Sequence, residues 1–175
     1  MQRNTPRRQF TLIELLVVIA IIMILVGILI PTVKTVRERA NETRARAMIS
    51  SLKLAISQYN QTYGYLPCPS GSDWTANRTA SGTYDGMINA LNGSNTRGIV
   101  FLESQRDPYA DPWHDYANNT HNGRFHVILD GNYDSQVTNG TVTVNSSMMI
   151  WSEGSNKSDN SGDGDDITSW EKTKK

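Results

Sequence analysis

Two sets of carboxylates in this chain sit where chemistry could follow. Residues 151–170, WSEGSNKSDNSGDGDDITSW, hold five acids (Glu153, Asp159, Asp163, Asp165 and Asp166) and one lysine among Gly and Ser. Hard oxygen donors on a flexible Gly-rich loop suit Ca²⁺, and a divalent cation would offset the repulsion among five crowded acids. Asp163, Asp165 and Asp166 are the first side-chain candidates, Asp159 and Asn156 the next, with backbone carbonyls near Ser152 completing the shell. A solvated acidic loop that holds no metal is the competing reading. The second set is one residue, Glu14, which stands alone in a run of apolar side chains. A charge inside such a run costs about 3 kcal/mol on insertion scales, so a partner for it is expected.

Other reactive residue types give less. His114, His121 and His126 are spaced seven and five apart, which does not match common zinc-ligand pairs; they read as exposed histidines. Asp107, Asp111 and Asp115 read as turn aspartates in preference to a hydrolase pair. Cys68 is the only cysteine and lies between Pro67 and Pro69, so no internal disulfide forms and a stiff structural turn is expected. No nucleophile elbow, phosphate loop, CxxC pair or HExxH helix occurs, and the chain is not read as an enzyme. Its 17 basic and 17 acidic residues balance, and three of the basic ones (Arg3, Arg7, Arg8) precede Phe10 with no acid. The chain from Phe10 onward is therefore net acidic, which argues against a nucleic-acid partner.

The element that must position Glu14 is residues 10–31, FTLIELLVVIAIIMILVGILIP. A bilayer core about 30 Å thick needs roughly 20 apolar helical residues, so the run is long enough to span. It exceeds the ~7–15 residues of a cleavable signal core, and no small-x-small site follows it. A plain anchor explains its length but not Glu14. Basic residues flank both ends, with Lys34, Arg37, Arg39 and Arg44 beyond it, so charge alone leaves the orientation open. Gly27 and Pro31 cost about 1 and 3 kcal/mol in a helix interior and are expected to weaken it there.

Beyond Pro31 a helical stripe continues through Val33, Val36, Ala40, Ala45, Ile49, Leu52, Ile56, Tyr59 and Tyr63, opposite a charged face. This period predicts one helix over 10–63, closed by Gly64 at C′ and roughly 80 Å long. Residues 65–97 read as a long surface connection containing a short helix at 85–91. The apolar run 98–103 is of open type. Residues 124–130 alternate as a half-buried strand, and 142–144 and 148–152 supply two more. Turns are expected at 132–134 and 139–140.

Arg7-Arg8-Gln9 abutting Phe10-Thr11-Leu12-Ile13-Glu14 resembles the class III signal of type IV pilins and type II secretion pseudopilins. Asp111-Pro112-Trp113 with Tyr116 resembles the DPWG…Y segment of the G-type major pseudopilins, with His114 where Gly is usual. Ser152, Gly154 and Asp166-Ile167-Thr168-Ser169-Trp170 match that group's calcium loop, SxGxDG…DIxxW, while its Asp and Gly fall on Asn156 and Lys157. The resemblance implies an α+β fold of type IV pilin-like form: a long N-terminal transmembrane helix packed on a small antiparallel C-terminal sheet. It implies a leader (1–9), a membrane and filament-core helix (10–31), its amphipathic continuation (32–64), a variable connection (65–97) and a β domain with the acidic loop (98–175).

It further implies that prepilin peptidase cuts between Gln9 and Phe10, that the new Phe10 amine is methylated, and that Glu14 pairs with that amine in an adjacent subunit. The function implied is that of a pseudopilin polymerising, with itself and minor pseudopilins, from the bacterial inner membrane into a periplasmic filament. Inner-membrane secretion machinery would be its partner, and the C-terminal domain would lie in the periplasm. The alternatives are a type IV pilin for adhesion, motility or DNA uptake, and a membrane-anchored calcium-dependent binding module.

Overall fold

The structure is a computed structural model that describes residues 11–69, 71–76, 83–103, 110–113, 123–140 and 142–171, with Pro31 and Thr32 as backbone only. Gln9, Phe10, Asp107, His114, Asp115, Tyr116 and His121 lie outside the described residues. Helix α1 spans Leu12–Tyr63 and runs through Gly27 and Pro31 as helix. Gly64 follows at φ 78°, and its N–H donates to the Asn60 carbonyl at 2.7 Å. Only glycine takes this left-handed turn without steric cost, which is why the helix stops there.

The chain divides into two compact units, one reaching to Arg39 and the other beginning at Ala40. In the first, residues 12–30 of α1 are apolar on every face apart from Glu14, and exposed: Leu12, Ile22, Leu25 and Ile30 are all more than half exposed. It is long and apolar enough to cross a membrane. Val33, Val36 and Ala40 of the predicted stripe are exposed too, and burial of that stripe starts only at Ala45.

In the second unit the stripe Ala45, Ile49, Leu52, Ile56 and Tyr59 is buried, joined by Ala55. It packs on one face of a four-stranded antiparallel sheet of order β1-β2-β5-β6. These strands are β1 (Trp74–Thr75), β2 (His126–Leu129), β5 (Met148–Ser152) and β6 (Ile167–Thr168). The remaining pair, β3 (Val137–Asn139) and β4 (Val142–Val144), forms a separate hairpin. Side chains alternate across the main sheet as strand geometry requires. Phe125, Val127, Leu129, Met148 and Ile150 face the helix, and Ile128, Met149 and Trp151 face away.

That second face corrects the half-buried strand expected at 124–130. Val137, Val142, Val144 and Trp170 cover it, so Ile128 and Met149 are buried as well. The strand expected at 142–144 therefore builds a cover and does not join the main sheet. Its cause is local. The backbone N–H groups of Asp134 and Ser135 donate to the two oxygens of the Asp130 carboxylate at 3.2 and 2.9 Å, which folds the chain back over the sheet after β2.

The connection also holds more structure than its composition suggested. Trp74 and Thr75 pair with Leu129 and Ile128 as an end strand, and α2 (Thr83–Leu91) buries Tyr84, Met87 and Leu91. A 2.7 Å ion pair between Arg124 and Asp85 ties α2 to the sheet. Residues 98–103 form no strand; Val100 makes one isolated bridge with Asn92, and Leu102 is buried. Cys68 packs against the core, and burial, with Asp130 nearby, pushes its thiol up to about 11. A thiol held protonated is a poor nucleophile.

Candidate functional site

At the start of α1, the carboxylate of Glu14 accepts from the Thr11 backbone N–H and from the Thr11 hydroxyl, both at 2.9 Å, while the Glu14 N–H donates to that hydroxyl at 3.3 Å. This is a capping box: Thr11 is the N-cap and Glu14 the N3 residue, and each satisfies a helix-end donor of the other. A carboxylate in the first turn also suits the positive end of the helix dipole. So Glu14 has a role within its own chain that a plain anchor would also require. The signature Thr-x-x-Glu before an apolar run was readable in the sequence. The intermolecular pairing expected of Glu14 concerns a second subunit, and Glu14 is exposed.

The acidic loop leaves β5 at Ser152 and returns as β6, with Trp151 opposite Thr168 and Ser152 opposite Ile167. Of its five predicted ligands, Asn156 and Asp165 are brought together, and Asp159, Asp163 and Asp166 accept from other donors. Asp159 Oδ1 accepts from the Trp151 indole N–H at 3.0 Å and the Ser161 N–H at 2.8 Å. Asp163 accepts from the Gly164 N–H at 2.9 Å. Asp166 is buried, and its Oδ2 accepts from the N–H groups of Asn160 at 3.0 Å and Gly162 at 2.8 Å.

Asp165 Oδ2 accepts from the Asn156 N–H and the Ser155 hydroxyl, each at 2.9 Å. Burial works against its charge, but these hydrogen bonds outweigh it and hold its pKa below the ordinary carboxylate value. Asn156 adds its own side-chain N–H, given to Asp165 Oδ1 and, at 3.0 Å, to Asn160 Oδ1.

Among the described residues no three His, Cys, Asp or Glu side chains converge as a metal ion would require. N–H and hydroxyl donors of the chain itself face Asp159 Oδ1, Asp165 and Asp166 Oδ2 in this arrangement. Ser152, near which backbone carbonyls were expected to complete the shell, is buried with its hydroxyl donating to Asp111 Oδ2 at 2.5 Å and accepting from the Gly154 N–H at 3.1 Å. Asp111 Oδ1 accepts from the Trp113 N–H at 3.1 Å. Asp111 is thus a buried brace, not a surface turn aspartate. Lys157, where the resembling pattern has Gly, adopts φ 56°, a conformation that costs a residue with a Cβ roughly 1–2 kcal/mol.

Sequence reasoning missed one cluster. His126 lies on β2 opposite Trp151 on β5, its ring stacked on the indole at 4.5 Å with 8° between planes. Its Nε2 is 2.9 Å from Oε1 of the buried Glu153, and its Nδ1 is 3.7 Å from Asp159 Oδ2. It lies on the strand expected at 124–130 but is half-buried, not exposed. Gly162, at φ 86°, lets the Trp170 ring lie directly on the loop backbone; a Cβ there would collide with the indole.

No family model matches the chain, and no solved structure matches it. Curated relatives do. It is 33% identical over 91 residues, 51% of the chain and 54% of the relative, to a fimbrial protein of Neisseria meningitidis serogroup A. It is 32% identical over 91 residues, with the same coverage, to the type IV major pilin protein PilE of Neisseria gonorrhoeae. Over 41 residues, 23% of the chain and 31% of the relative, it is 56% identical to the type IV wide pilus major component PilA4 of Thermus thermophilus. The chain spans about half the length of the Neisseria relatives. One long N-terminal apolar helix packed on a small antiparallel sheet is the type IV pilin-like fold, and these similarities support that family.

Proposed function

We propose that this chain is a structural subunit, not an enzyme, that polymerises through its N-terminal helix into a filament rooted in the bacterial inner membrane. The observation that carries the proposal is residues 12–30 of the first unit: a helical stretch apolar on all faces and exposed, with one carboxylate in its first turn. A membrane covers such a helix before assembly, and the helices of neighbouring copies cover it afterwards. Prepilin peptidase would cut between Gln9 and Phe10, and the freed, methylated Phe10 amine would pair with Glu14 of the next subunit. That exchange replaces the Thr11 donors with a full positive charge and neutralises both buried groups.

Within this reading the chain is a pseudopilin of a type II secretion system, with minor pseudopilins and inner-membrane secretion machinery as partners and its second unit in the periplasm. The resemblance of residues 111–116 and 152–170 to G-type pseudopilins supports this, and Ser152 and Asp111 from those two segments are in contact. The relatives named as type IV pilins favour a second reading, a surface pilus.

Glu14→Gln keeps the shape of the capping box and removes the charge. It should be processed to an N-terminus at Phe10, read by mass spectrometry, yet form few or no filaments by electron microscopy. Normal filaments from this variant would overturn the pairing. Deleting the protein should then stop release of secreted proteins across the outer membrane if it is a pseudopilin, and remove surface fibres if it is a pilin.

A further inference from the structure

We infer that the acidic loop closes on an internal carboxamide, that of Asn156, and needs no divalent cation to hold its shape. Three observations lead there. The Asn156 side chain spans the loop, its Nδ2 donating both to Asp165 Oδ1 and to Asn160 Oδ1. The orientation of the amide is fixed independently, because the Ser158 N–H donates to Asn156 Oδ1 at 2.6 Å; a flipped amide would set two donors against each other. Finally, donors of the same chain meet specific carboxylate oxygens: Asp166 Oδ2 accepts from the N–H groups of Asn160 and Gly162, Asp159 Oδ1 from the Trp151 indole and the Ser161 N–H, and Asp165 Oδ2 from the Asn156 N–H and the Ser155 hydroxyl.

An ammonium-like charge is not required for this role. A carboxamide presents two N–H donors at a fixed angle, which suits two acceptors on opposite sides of one turn. An aspartate at position 156 would present only acceptors. It would face Asp165 with like charge, and the loop would then need a cation between them. The single change from Asn to Asp therefore separates a self-closed loop from a metal-closed one. The inference concerns the loop alone and does not depend on filament formation.

Lys157 makes the test direct. It is exposed beside Asn156 and is the one lysine or arginine between residues 151 and 170. Trypsin cleavage after it, followed by mass spectrometry on the full chain in detergent, reports how often the loop opens. When reclosing is fast, cleavage tracks that opening equilibrium. Wild-type cleavage should proceed at one rate in EDTA, in millimolar Mg²⁺ and in millimolar Ca²⁺, after correction for the protease's own response to each.

Asn156→Ala should be cut about tenfold faster in all three conditions, as loss of a hydrogen bond to a charged acceptor implies. Asn156→Asp should be cut faster in EDTA and slowed again by Ca²⁺. Faster wild-type cleavage in EDTA than in Ca²⁺ would overturn the inference. So would an Asn156→Ala or Asn156→Asp loop that resists trypsin in EDTA as well as wild type does.

Discussion

The two units handle their polar and apolar groups in opposite ways. The first carries a long apolar surface that its own chain leaves exposed, and the acid within that surface, Glu14, accepts hydrogen bonds from its neighbour Thr11. The second hides nearly all its large apolar side chains and spreads its acids over hydrogen bonds within the same loop. A surface left uncovered is a demand for something outside the chain, whether lipid or another copy. A loop whose carboxylates accept from donors of the same chain makes a smaller one. Under the proposed function, the contrast assigns assembly to the helix and not to the second unit, the head.

The comparison can be broken from the head side with the largest effect. Phe125 is fully buried between β2 and the helix face, and Phe125→Ala should cost about 3–5 kcal/mol of head stability. Chemical denaturation followed by tryptophan fluorescence would measure this. Membrane association of the variant, read by alkaline extraction, should be unchanged.

From the other side, Ile22→Arg puts a charge at mid-span and should cost about 3 kcal/mol on insertion. It should shift the protein into the extractable fraction while the head unfolds at the wild-type midpoint. If either variant moved both readouts, the two units would not be energetically separate.

A smaller effect sharpens the comparison within the loop. The folded-state pKa of Asp165 is depressed, so its contribution is present above the ordinary carboxylate range and is lost as pH falls through the lower folded value. The stability difference between wild type and Asp165→Asn should therefore be largest near neutral pH and shrink toward zero below about pH 4. Thermal midpoints of both proteins at pH 7, 5, 4 and 3 give that difference. A gap that grew on acidification would mean that the carboxylate is not the favoured form.

The helix was legible because a 3.6-residue stripe is a local signal, and Ala45, Ile49, Leu52, Ile56 and Tyr59 are buried as that stripe requires. The strands at 126–129 and 148–152 were legible from apolar content for the same reason. What the sequence hid depends on pairing between distant segments. Two residues, Trp74 and Thr75, make a strand only because Leu129 and Ile128 lie beside them.

The cover over the second sheet face could not be foreseen either. Val142–Val144 looks alike whether it joins the main sheet or pairs with Val137–Asn139. At the candidate site, residue types singled out Glu14 and the acids as groups that need partners. Which partners they have, Thr11 in one case and backbone N–H groups in the other, depends on geometry. The Thr11 cap alone had a sequence signature that could have been read.

The main sheet ends on either side in a strand of only two residues, β1 and β6. Unpaired strand edges are templates on which another copy can add by main-chain hydrogen bonds, and short edges are one way natural proteins blunt that hazard. Subunits crowded in a membrane before assembly would meet one another constantly. With so little edge to extend, such encounters have almost no ladder to propagate, and fibres of the cross-β kind are disfavoured. Under the proposed function, heads brought to high local density would have little edge by which to pair, and joining would be left to the helices.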